Sequence, residues 1–386
     1  MIQVHPAIRT SLIVVSLVAI VNLPASFRAA TVASPVTPVQ GAITAPKGAE
    51  QQGVRATAVD TRSVYLPLVA KASSPNLWQL VGFQQESVQD ISLESGGRPS
   101  IYAAVETPQG LYRSRDTGRT WQQIATGLQP GARVTHVAVS PASPSEIYAT
   151  AASYPRFYLS STSGDDWTVG GDIPLIPKLL ALHPTISARL FVGVGAWDVW
   201  GGGGQLYVSE DGGLTWTQAI AKQVLAASVA ASAQDPSLVY VGGTGLYRSQ
   251  DGGRHFALLG GALAEAQVEA VAIDPFDPLI GFVHTDTAVF RSNDGGNSWS
   301  QWGSKPPQGS QKLLISNRTP SLQYAASRDC AGVYLSRDQG LHWEPVNGGL
   351  GNLCVTDLEA TSDFARLYAA TSKGLWTLDL SSGVIQ

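Results

Sequence analysis

Aspartate recurs in this chain within a repeated eight-residue motif, Ser-x-Asp-x-Gly-x-Thr-Trp. The motif is complete at 114–121 and at 209–216, and three further copies keep the aspartate. A carboxylate in such a setting could act as a general acid or base, or as an oxygen ligand for calcium. The motif positions of these five copies are Ser114, Asp116, Gly118, Trp121; Ser209, Asp211, Gly213, Trp216; Ser249, Asp251, Gly253; Ser292, Asp294, Gly296, Trp299; and Ser336, Asp338, Gly340, Trp343.

The number and spacing of these aspartates argue against catalysis. A sixth copy at 160–167 carries Thr162 at the aspartate position, and successive copies begin 40 to 49 residues apart. Six equivalent positions spread around a repeat array cannot share one active site, and the closing glutamate of an EF-hand calcium loop is absent. We predict a structural role, in which Ser and Asp bond to turn backbone, Gly supplies positive φ and Trp buries apolar surface.

Two tryptophans outside the motif flank another carboxylate. Trp197, Asp198 and Trp200 precede a run of four glycines at 201–204. Flat aromatic faces beside a carboxylate suit stacking on a sugar ring or gripping a peptide. The alternative is that the tryptophans cover the apolar edge of a sheet and the glycines form a turn, and both interpretations stay open.

The elements that position these residues are short strands. Each repeat contains an apolar or alternating run (as at 134–139), a segment with Tyr or Phe (147–149), a Gly-Leu-Tyr-Arg-Ser-like segment (110–114) and a run that starts at the motif Trp (216–220). Aliphatic and aromatic runs separated by Gly, Pro, Asp and Ser indicate β-strands. Four strands in about 44 residues are typical of one β-propeller blade.

Seven third strands can be counted, and the last repeat lacks a fourth. Residues 77–83 resemble the missing strand. We therefore predict an all-β fold, a seven-bladed β-propeller with four-stranded antiparallel blades, closed by an N-terminal strand that completes the last blade. Closure removes the exposed sheet edges of an open array. The propeller is expected to occupy residues 76–386.

One face of such a ring carries the loops between second and third strands and between blades, and loops on a rigid scaffold concentrate function. The candidate ligand-binding residues on that face are Trp197, Asp198, Trp200, Tyr154, Arg156, His284, Asp286, Arg328 and Asp329. First strands are expected to present Asp90, His136, Glu269 and Lys312 near the channel mouth. For each, the alternative is an ordinary solvated or packed residue. The histidines show no metal-ligand spacing, so we predict no metal site, no cofactor and no assigned catalytic residue.

The repeated motif resembles the Asp-box, which is found in sialidases, xyloglucanase-type glycoside hydrolases, sortilin-type receptors and photosystem II stability/assembly factor-like proteins. The resemblance covers the whole repeat region. It implies the propeller fold, together with either a binding or assembly role or a glycoside hydrolase activity.

The resemblance to hydrolases is incomplete. The Arg-Ile-Pro segment of sialidases is absent, and xyloglucanase-type enzymes place their acid and base in a cleft between two propellers, whereas this chain has one. We therefore expect a binding or assembly module for a protein or glycan. The alternative is a glycoside hydrolase that uses a carboxylate pair such as Asp198 and Asp286.

Charge excludes one class of partner. The first 75 residues hold 6 Lys and Arg and 2 Asp and Glu, so residues 76–386 hold 19 of the chain's 25 bases and 27 of its 29 acids, a net charge of −8. Nucleic-acid binders show a basic face, and no Lys/Arg cluster stands out in the sequence. We expect a monomer that does not bind nucleic acid.

The N-terminal region indicates export. Residues 1–33 combine Arg9, an apolar run at 11–23 and a small-residue cleavage site at 31–33, which predicts a signal peptide. Residues 34–75, rich in Ala, Pro and Thr, predict a linker. We expect a secreted or extracytoplasmic protein without stable membrane insertion; the alternative is an uncleaved signal anchor.

Two cysteines, Cys330 and Cys354, are the only ones in the chain. Both fall in connections on the same face of the predicted propeller, and an exported chain meets an oxidising compartment. We predict that they form a disulfide. The alternative, a thiol nucleophile, lacks a histidine partner nearby in sequence.

Overall fold

The computed structural model describes residues 77–96, 99–153, 155–195, 204–220, 224–303 and 309–381. The predicted signal peptide and linker lie outside these ranges, as do Tyr154, Trp197, Asp198 and Trp200. The described part of the chain contains no helix with the length and hydropathy of a membrane span.

The described residues form seven antiparallel sheets of four strands each, which confirms the predicted seven-bladed propeller. The chain enters with β1 (Gln79–Gly82). Blade 1 contains β2 (Val88–Leu93), β3 (Ile101–Val105), β4 (Gly110–Ser114) and β5 (Gln122–Gln123). Blade 2 contains β6 (Val134–Val139), β7 (Ile147–Ala151), β8 (Arg156–Ser160) and β9 (Thr168–Asp172). Blade 3 contains β10 (Pro177–Leu182), β11 (Leu190–Val194), β12 (Gln205–Ser209) and β13 (Thr217–Gln218).

The remaining blades repeat this order. Blade 4 contains β14 (Ser228–Ala231), β15 (Val239–Gly243), β16 (Gly245–Ser249) and β17 (Ala257–Leu258), followed by a 3-10 turn (Gly261–Leu263). Blade 5 contains β18 (Val268–Ile273), β19 (Gly281–Thr285), β20 (Val289–Ser292) and β21 (Ser300–Gly303). Blade 6 contains β22 (Ser310–Ile315), β23 (Gln323–Ser327), β24 (Gly332–Ser336) and β25 (Glu344–Pro345). Blade 7 contains β26 (Val355–Ala360), β27 (Arg366–Thr371) and β28 (Gly374–Asp379).

Strand β1 supplies the fourth strand of blade 7. It pairs antiparallel with β28, with Gln79 opposite Thr377 and Leu80 opposite Trp376. The preceding Trp78 is buried and donates from Nε1 to the carbonyl of Val346 in blade 6, at 2.7 Å. The two ends of the described chain therefore meet in one sheet, and the ring has no open edge at this junction.

The core lies between blades rather than within them. The second strand of each blade is buried along almost its whole length. Neighbouring sheets stack face to face, so both faces of an inner strand are covered and every position must be apolar or hydrogen-bonded. One core cluster, for example, joins Phe191 and Leu206 of blade 3 to Val239 and Tyr247 of blade 4.

The Asp-box forms the turn between the third and fourth strands. In blade 3, the Ser209 hydroxyl donates to Asp211 Oδ1 at 2.8 Å and accepts from the Gly213 N–H at 2.8 Å. The Thr215 hydroxyl donates to Asp211 Oδ2 at 2.6 Å, and chiefly this bond lowers the pKa of Asp211 to about 2. Gly213 has φ +89°, and a Cβ there would collide with Phe157 of blade 2. The aspartate thus stabilises its own turn by accepting hydrogen bonds within it.

The divergent boxes keep the same geometry with other groups. In blade 2, the Thr162 hydroxyl accepts from the Asp166 N–H at 2.9 Å, as the aspartate does elsewhere. In blades 4 and 6, a histidine replaces the threonine, and His255 and His342 each place Nδ1 2.6 Å from the box aspartate. The turn therefore requires an acceptor at one position and a donor at the other, rather than one fixed pair of residue types.

The aromatic residue that ends each box packs against the preceding blade. Trp216 of blade 3 meets the Phe157 ring edge-to-face at 5.1 Å, and Trp299 of blade 5 meets Tyr240 of blade 4 at 5.6 Å. Trp121 of blade 1 donates from Nε1 to the Val81 carbonyl of β1, which belongs to blade 7, at 3.3 Å. Each box therefore links its blade to the one before.

The predicted disulfide is present. Cys330, between β23 and β24, is bonded to Cys354, just before β26. The bond joins blade 6 to the start of blade 7 across a sequence separation of 24 residues. It thus reinforces the region of the ring where the chain ends meet.

His284 corrects one expectation from the sequence. It lies within β19 rather than in the following loop, and it is fully buried. The strand register places it beside Trp343, with ring centroids 5.3 Å apart, and neither ring nitrogen has a hydrogen-bond partner in the described residues. Because burial disfavours the charged imidazolium, the pKa of His284 falls to about 3. A ligand on the surface cannot reach this side chain.

The burial of His284 predicts a pH-dependent stability. Between pH 6.5 and pH 3 the unfolded chain binds a proton at His284 that the folded chain does not, so the free energy of unfolding must fall as pH falls. Within that window, we expect protonation of this residue to lower the free energy of unfolding by about 1.4 kcal/mol for each pH unit of acidification. His284→Ala should remove that increment, as measured by urea unfolding at pH 7, 6, 5 and 4. Equal slopes in the two proteins would contradict the prediction.

Candidate functional site

The first strands of the blades converge on the central channel and bring charged side chains together near one mouth. This mouth lies on the upper face, which carries the loops between second and third strands. Asp90 of β2, His136 of β6 and Lys312 of β22, all expected there from the sequence, line a cavity of about 290 Å³. Lys178 of β10 and Asp357 of β26 complete its polar wall, and Glu269 lies in β18.

Lys312 is the central cation of this channel. Its Nζ lies 2.7 Å from Asp357 Oδ1 and 4.0 Å from Glu359 Oε1. Desolvation opposes its charge, but the attraction of Asp357 and Glu359 outweighs this and raises the pKa of Lys312. The ammonium therefore stays charged and offsets the cost of a nearly buried Asp357 carboxylate.

The channel carboxylates also connect neighbouring blades. Asp90 Oδ2 accepts the Val137 N–H of blade 2 at 2.8 Å, and Asp357 Oδ2 accepts the Ile91 N–H of blade 1 at 3.3 Å. Burial first, and then the charge of Asp357, raise the pKa of Asp90 well above its usual value. Burial likewise raises the pKa of Glu359 to about 7. The channel thus holds protonatable carboxyls that serve as interblade contacts.

Three cations surround the upper mouth. Arg328 donates from Nε and Nη2 to Thr356 O at 3.3 and 3.2 Å, on the rim of the cavity. Burial, followed by repulsion from Arg133 and Arg328, lowers the pKa of Lys178. Arg133 forms an ion pair with Glu106, which also accepts from Gln89 Nε2 at 2.8 Å. The mouth is therefore locally basic although the propeller as a whole is acidic.

His136 lies at the centre of this group. Its Nδ1 lies 3.1 Å from the Thr135 hydroxyl and 3.2 Å from the Thr150 hydroxyl. Burial first, and then the positive charge of Arg328, lower the pKa of His136 to about 4. The imidazole is therefore neutral at pH 7 and does not add to the local charge, and it also hydrogen-bonds to the backbone of Lys178.

The other loop candidates are not gathered at this site. Arg156 begins β8, with Nη1 3.8 Å from Asp172 Oδ1. Asp286 and Asp329 occupy the loops after β19 and β23, and neither lines the cavity, whereas Arg328 does. Asp198 lies outside the described residues, so its pairing with Asp286 stays a prediction.

Sequence reasoning missed Arg133 and Lys178. The position of Lys178 in its strand was the available signal. His136 and Lys312 are the third residues of the first strands of their blades, and Lys178 is the second residue of the first strand of blade 3. Within the described residues, no group of three or more His, Cys, Asp or Glu side chains is arranged to hold a metal ion. The site can thus supply cationic and hydrogen-bonding contacts to a ligand, around an apolar floor that includes Leu179, Val194 and Leu225.

The ion pair predicts a measurable dependence of stability on Lys312. Lys312→Met should leave Asp357 uncompensated and lower the free energy of unfolding by about 2 kcal/mol, below the roughly 3–5 kcal/mol of a fully buried pair, because the lysine is 38 % exposed. Chemical denaturation at pH 7 would measure this. Lys373→Met, the same change at an exposed position between β27 and β28, should have little effect. Similar losses in the two variants would contradict the assignment.

Comparison with known proteins reveals similarity at the level of fold and a partial sequence match. No protein-family profile matches the chain. A xyloglucanase from Paenibacillus sp is 28% identical over 220 residues, which cover 51% of this chain and 20% of the relative. The chain thus spans only a small part of the length of that curated relative.

Solved structures share the propeller architecture. YCF48 bound to D1 peptide superposes with a TM-score of 0.59 at 16% identity, covering 79% of this chain and 97% of that one. YCF48 from Cyanidioschyzon merolae gives 0.56 at 14% identity, covering 80% and 100%. An ancestral GH74 enzyme gives 0.61 at 17% identity, covering 78% of this chain and 46% of that one.

Proposed function

We propose that this seven-bladed Asp-box β-propeller is an exported binding module whose ligand, a segment of a protein or glycan, docks on the upper face at the channel mouth. The observation that carries the proposal is the cavity there, where side chains from separate blades present Arg328, Lys178 and neutral His136 over an apolar floor. Concave sites with an apolar lining and a few convergent polar groups are typical of ligand-binding sites.

The charges at the mouth favour an acidic group on the ligand. Burial first, and then repulsion from Arg133 and Arg328, lowers the pKa of Lys178. An incoming carboxylate would relieve this repulsion and accept charge-assisted hydrogen bonds, which are stronger than neutral ones. A peptide with an acidic residue or terminal carboxylate fits this chemistry, and an acidic glycan is the second ligand class that does.

The structural comparisons are compatible with a binding role. YCF48, which has the same architecture over nearly its whole length, was solved with a bound D1 peptide. At 16% identity this likeness concerns the fold, and fold alone does not transfer a ligand. The proposal therefore relies on the channel-mouth residues of this chain.

Glycoside hydrolysis is the alternative, and one observation favours it. Glu359 has a pKa raised to about 7, as a general acid requires, and it shares the channel wall with Asp90 and Asp357. Against this alternative, Asp357 is bound to Lys312 and to the Ile91 N–H, and Asp90 to the Val137 N–H. These carboxylates already have structural partners, so we prefer the binding module.

Export is part of the proposal. The Cys330–Cys354 disulfide fits a protein that folds in an oxidising compartment. The signal peptide proposed for residues 1–33 would deliver it there, and mass spectrometry of the secreted protein would test cleavage near Ala33.

The proposed site predicts that Arg328→Gln weakens ligand retention about tenfold or more, because a charge-assisted contact is lost. The test is retention of the protein on arrays of acidic peptides, polysaccharides and sialylated glycans, with released sugar assayed in parallel. Arg318→Gln, the same change in the same blade but on the opposite face, should bind like the wild type. Equal retention by both variants would contradict the site. Released sugar that is abolished in Glu359→Gln would establish the hydrolase instead.

The blade 3 loop supplies a second prediction, made from the sequence. Trp197→Ala combined with Trp200→Ala should weaken binding to the same arrays without lowering the melting temperature, because stacking surfaces would be lost while the core is kept. Thermal unfolding would be measured alongside retention. A large fall in melting temperature would instead identify both tryptophans as core residues.

A further inference from the structure

A second cavity opens on the lower face, where blade 7 meets blade 1. Its volume is about 400 Å³. Its walls are the Asp-box turn of blade 1 at 115–119, the turn between β26 and β27 at 361–366, and the end of β28 at Asp379 and Ser381. This seam cavity faces away from the channel mouth, so its role does not depend on the function proposed above.

The seam cavity exists because of how the ring closes. In blades 1 to 6 an Asp-box turn follows the third strand and leads into the fourth. In blade 7 the fourth strand is β1, from the other end of the sequence, so no Asp-box turn connects it to β28. None of the described residues occupies the space that a box would take beside the turn at 361–366.

Blade 7 also lacks the third-strand arginine that blades 1 and 4 use to contact the next blade. Arg113 of blade 1 donates to Ser163 O in the box of blade 2, and Arg248 of blade 4 donates to Gly295 O in the box of blade 5, at 2.5 and 2.8 Å. The corresponding residue of blade 7 is Thr377, whose hydroxyl donates to Leu367 O within its own blade. Thr377 therefore does not reach the box of blade 1 in the way that Arg113 and Arg248 reach the boxes of blades 2 and 5.

The walls of the seam cavity carry three arginines. The Arg119 guanidinium makes no hydrogen bond or ion pair with the described residues. Arg115, 62% exposed, lies 3.6 Å from Asp165, and Arg366 donates to Asp379 at 3.1 Å. The Tyr368 hydroxyl is buried and lies against the Arg366 side chain, which hydrogen-bonds to it.

The acids of the seam cavity are already bound to local donors. Asp363 accepts from the Thr361 hydroxyl at 2.6 Å and from the Ala365 N–H at 3.1 Å. Asp379 accepts from the Ser381 N–H at 2.8 Å and from Arg366. Each carboxylate stays ionised and keeps lone pairs toward the cavity, where it can accept a hydroxyl proton.

We propose that the seam cavity binds a uronate, a sugar that bears one carboxylate. The carboxylate would lie between Arg115 and Arg119, and ring hydroxyls would donate to Asp363 and Asp379. A neutral sugar leaves the arginines unused, and a phosphate dianion meets repulsion from the carboxylates. The volume lies within the range of small-ligand sites, roughly 300–1,000 Å³.

The test is isothermal titration calorimetry of the full chain with glucuronic acid and with a galacturonic acid trisaccharide. Glucose and inorganic phosphate are the comparison ligands. We expect saturable binding of the uronates alone, weakened about tenfold or more in Arg119→Gln through loss of a charge-assisted contact. Arg254→Gln is the matched control, since Arg254 holds the same Asp-box position in blade 4 and does not line the cavity.

Several outcomes would overturn the proposal. They are absence of saturable uronate binding at millimolar concentration, equal weakening by Arg119→Gln and Arg254→Gln, and binding of phosphate or glucose as tight as that of the uronates. Arg328→Gln should leave uronate affinity unchanged, which separates this site from the channel mouth. Equal melting temperatures would establish that the variants remain folded.

Discussion

The packing of each blade against its neighbour is the interaction on which the rest of this structure depends. No blade buries both faces of its own sheet, so the fully buried second strands are stable only between two other blades. The Asp-box supplies the connection, because it holds a tight turn that directs an aromatic ring into the preceding blade, as Trp216 does against Phe157. The serine, aspartate and glycine of the motif are explained by that turn, and none of the six copies needs a catalytic role.

A closed ring has a channel, and the channel explains the charge cluster. First strands from different blades bring together Asp90, Lys312 and Asp357, which are far apart in sequence. In this partly desolvated space the carboxylates are tolerated because Lys312 and backbone N–H groups of the next blade compensate them. What the channel presents at its upper mouth is therefore mainly basic and hydrogen-bonding, which suits recognition of an acidic group better than acid–base catalysis.

Ring closure also makes the seven blades unequal. Blade 7 takes its outer strand from β1, so it has no Asp-box, and Thr377 stands where blades 1 and 4 have an arginine. The disulfide between Cys330 and Cys354 lies next to the same region. A repeat protein gains individual binding surfaces where its symmetry is broken, and here the chain termini break it.

The sequence by itself determined the architecture, because the signals for it are local and repeated. The Asp-box turns, the strand lengths and the N-terminal strand at 77–83 can be predicted without knowledge of the packing. The disulfide could also be predicted, once the loops that carry its two cysteines were assigned to the same face. Tertiary structure alone showed that His284 lies inside β19 and in the core, rather than in the loop that follows. Tertiary structure alone also showed that Arg133, Lys178 and Arg328 lie near His136. The curvature of the ring and the register of its strands determine which side chains of separate blades meet, and no single repeat encodes either property.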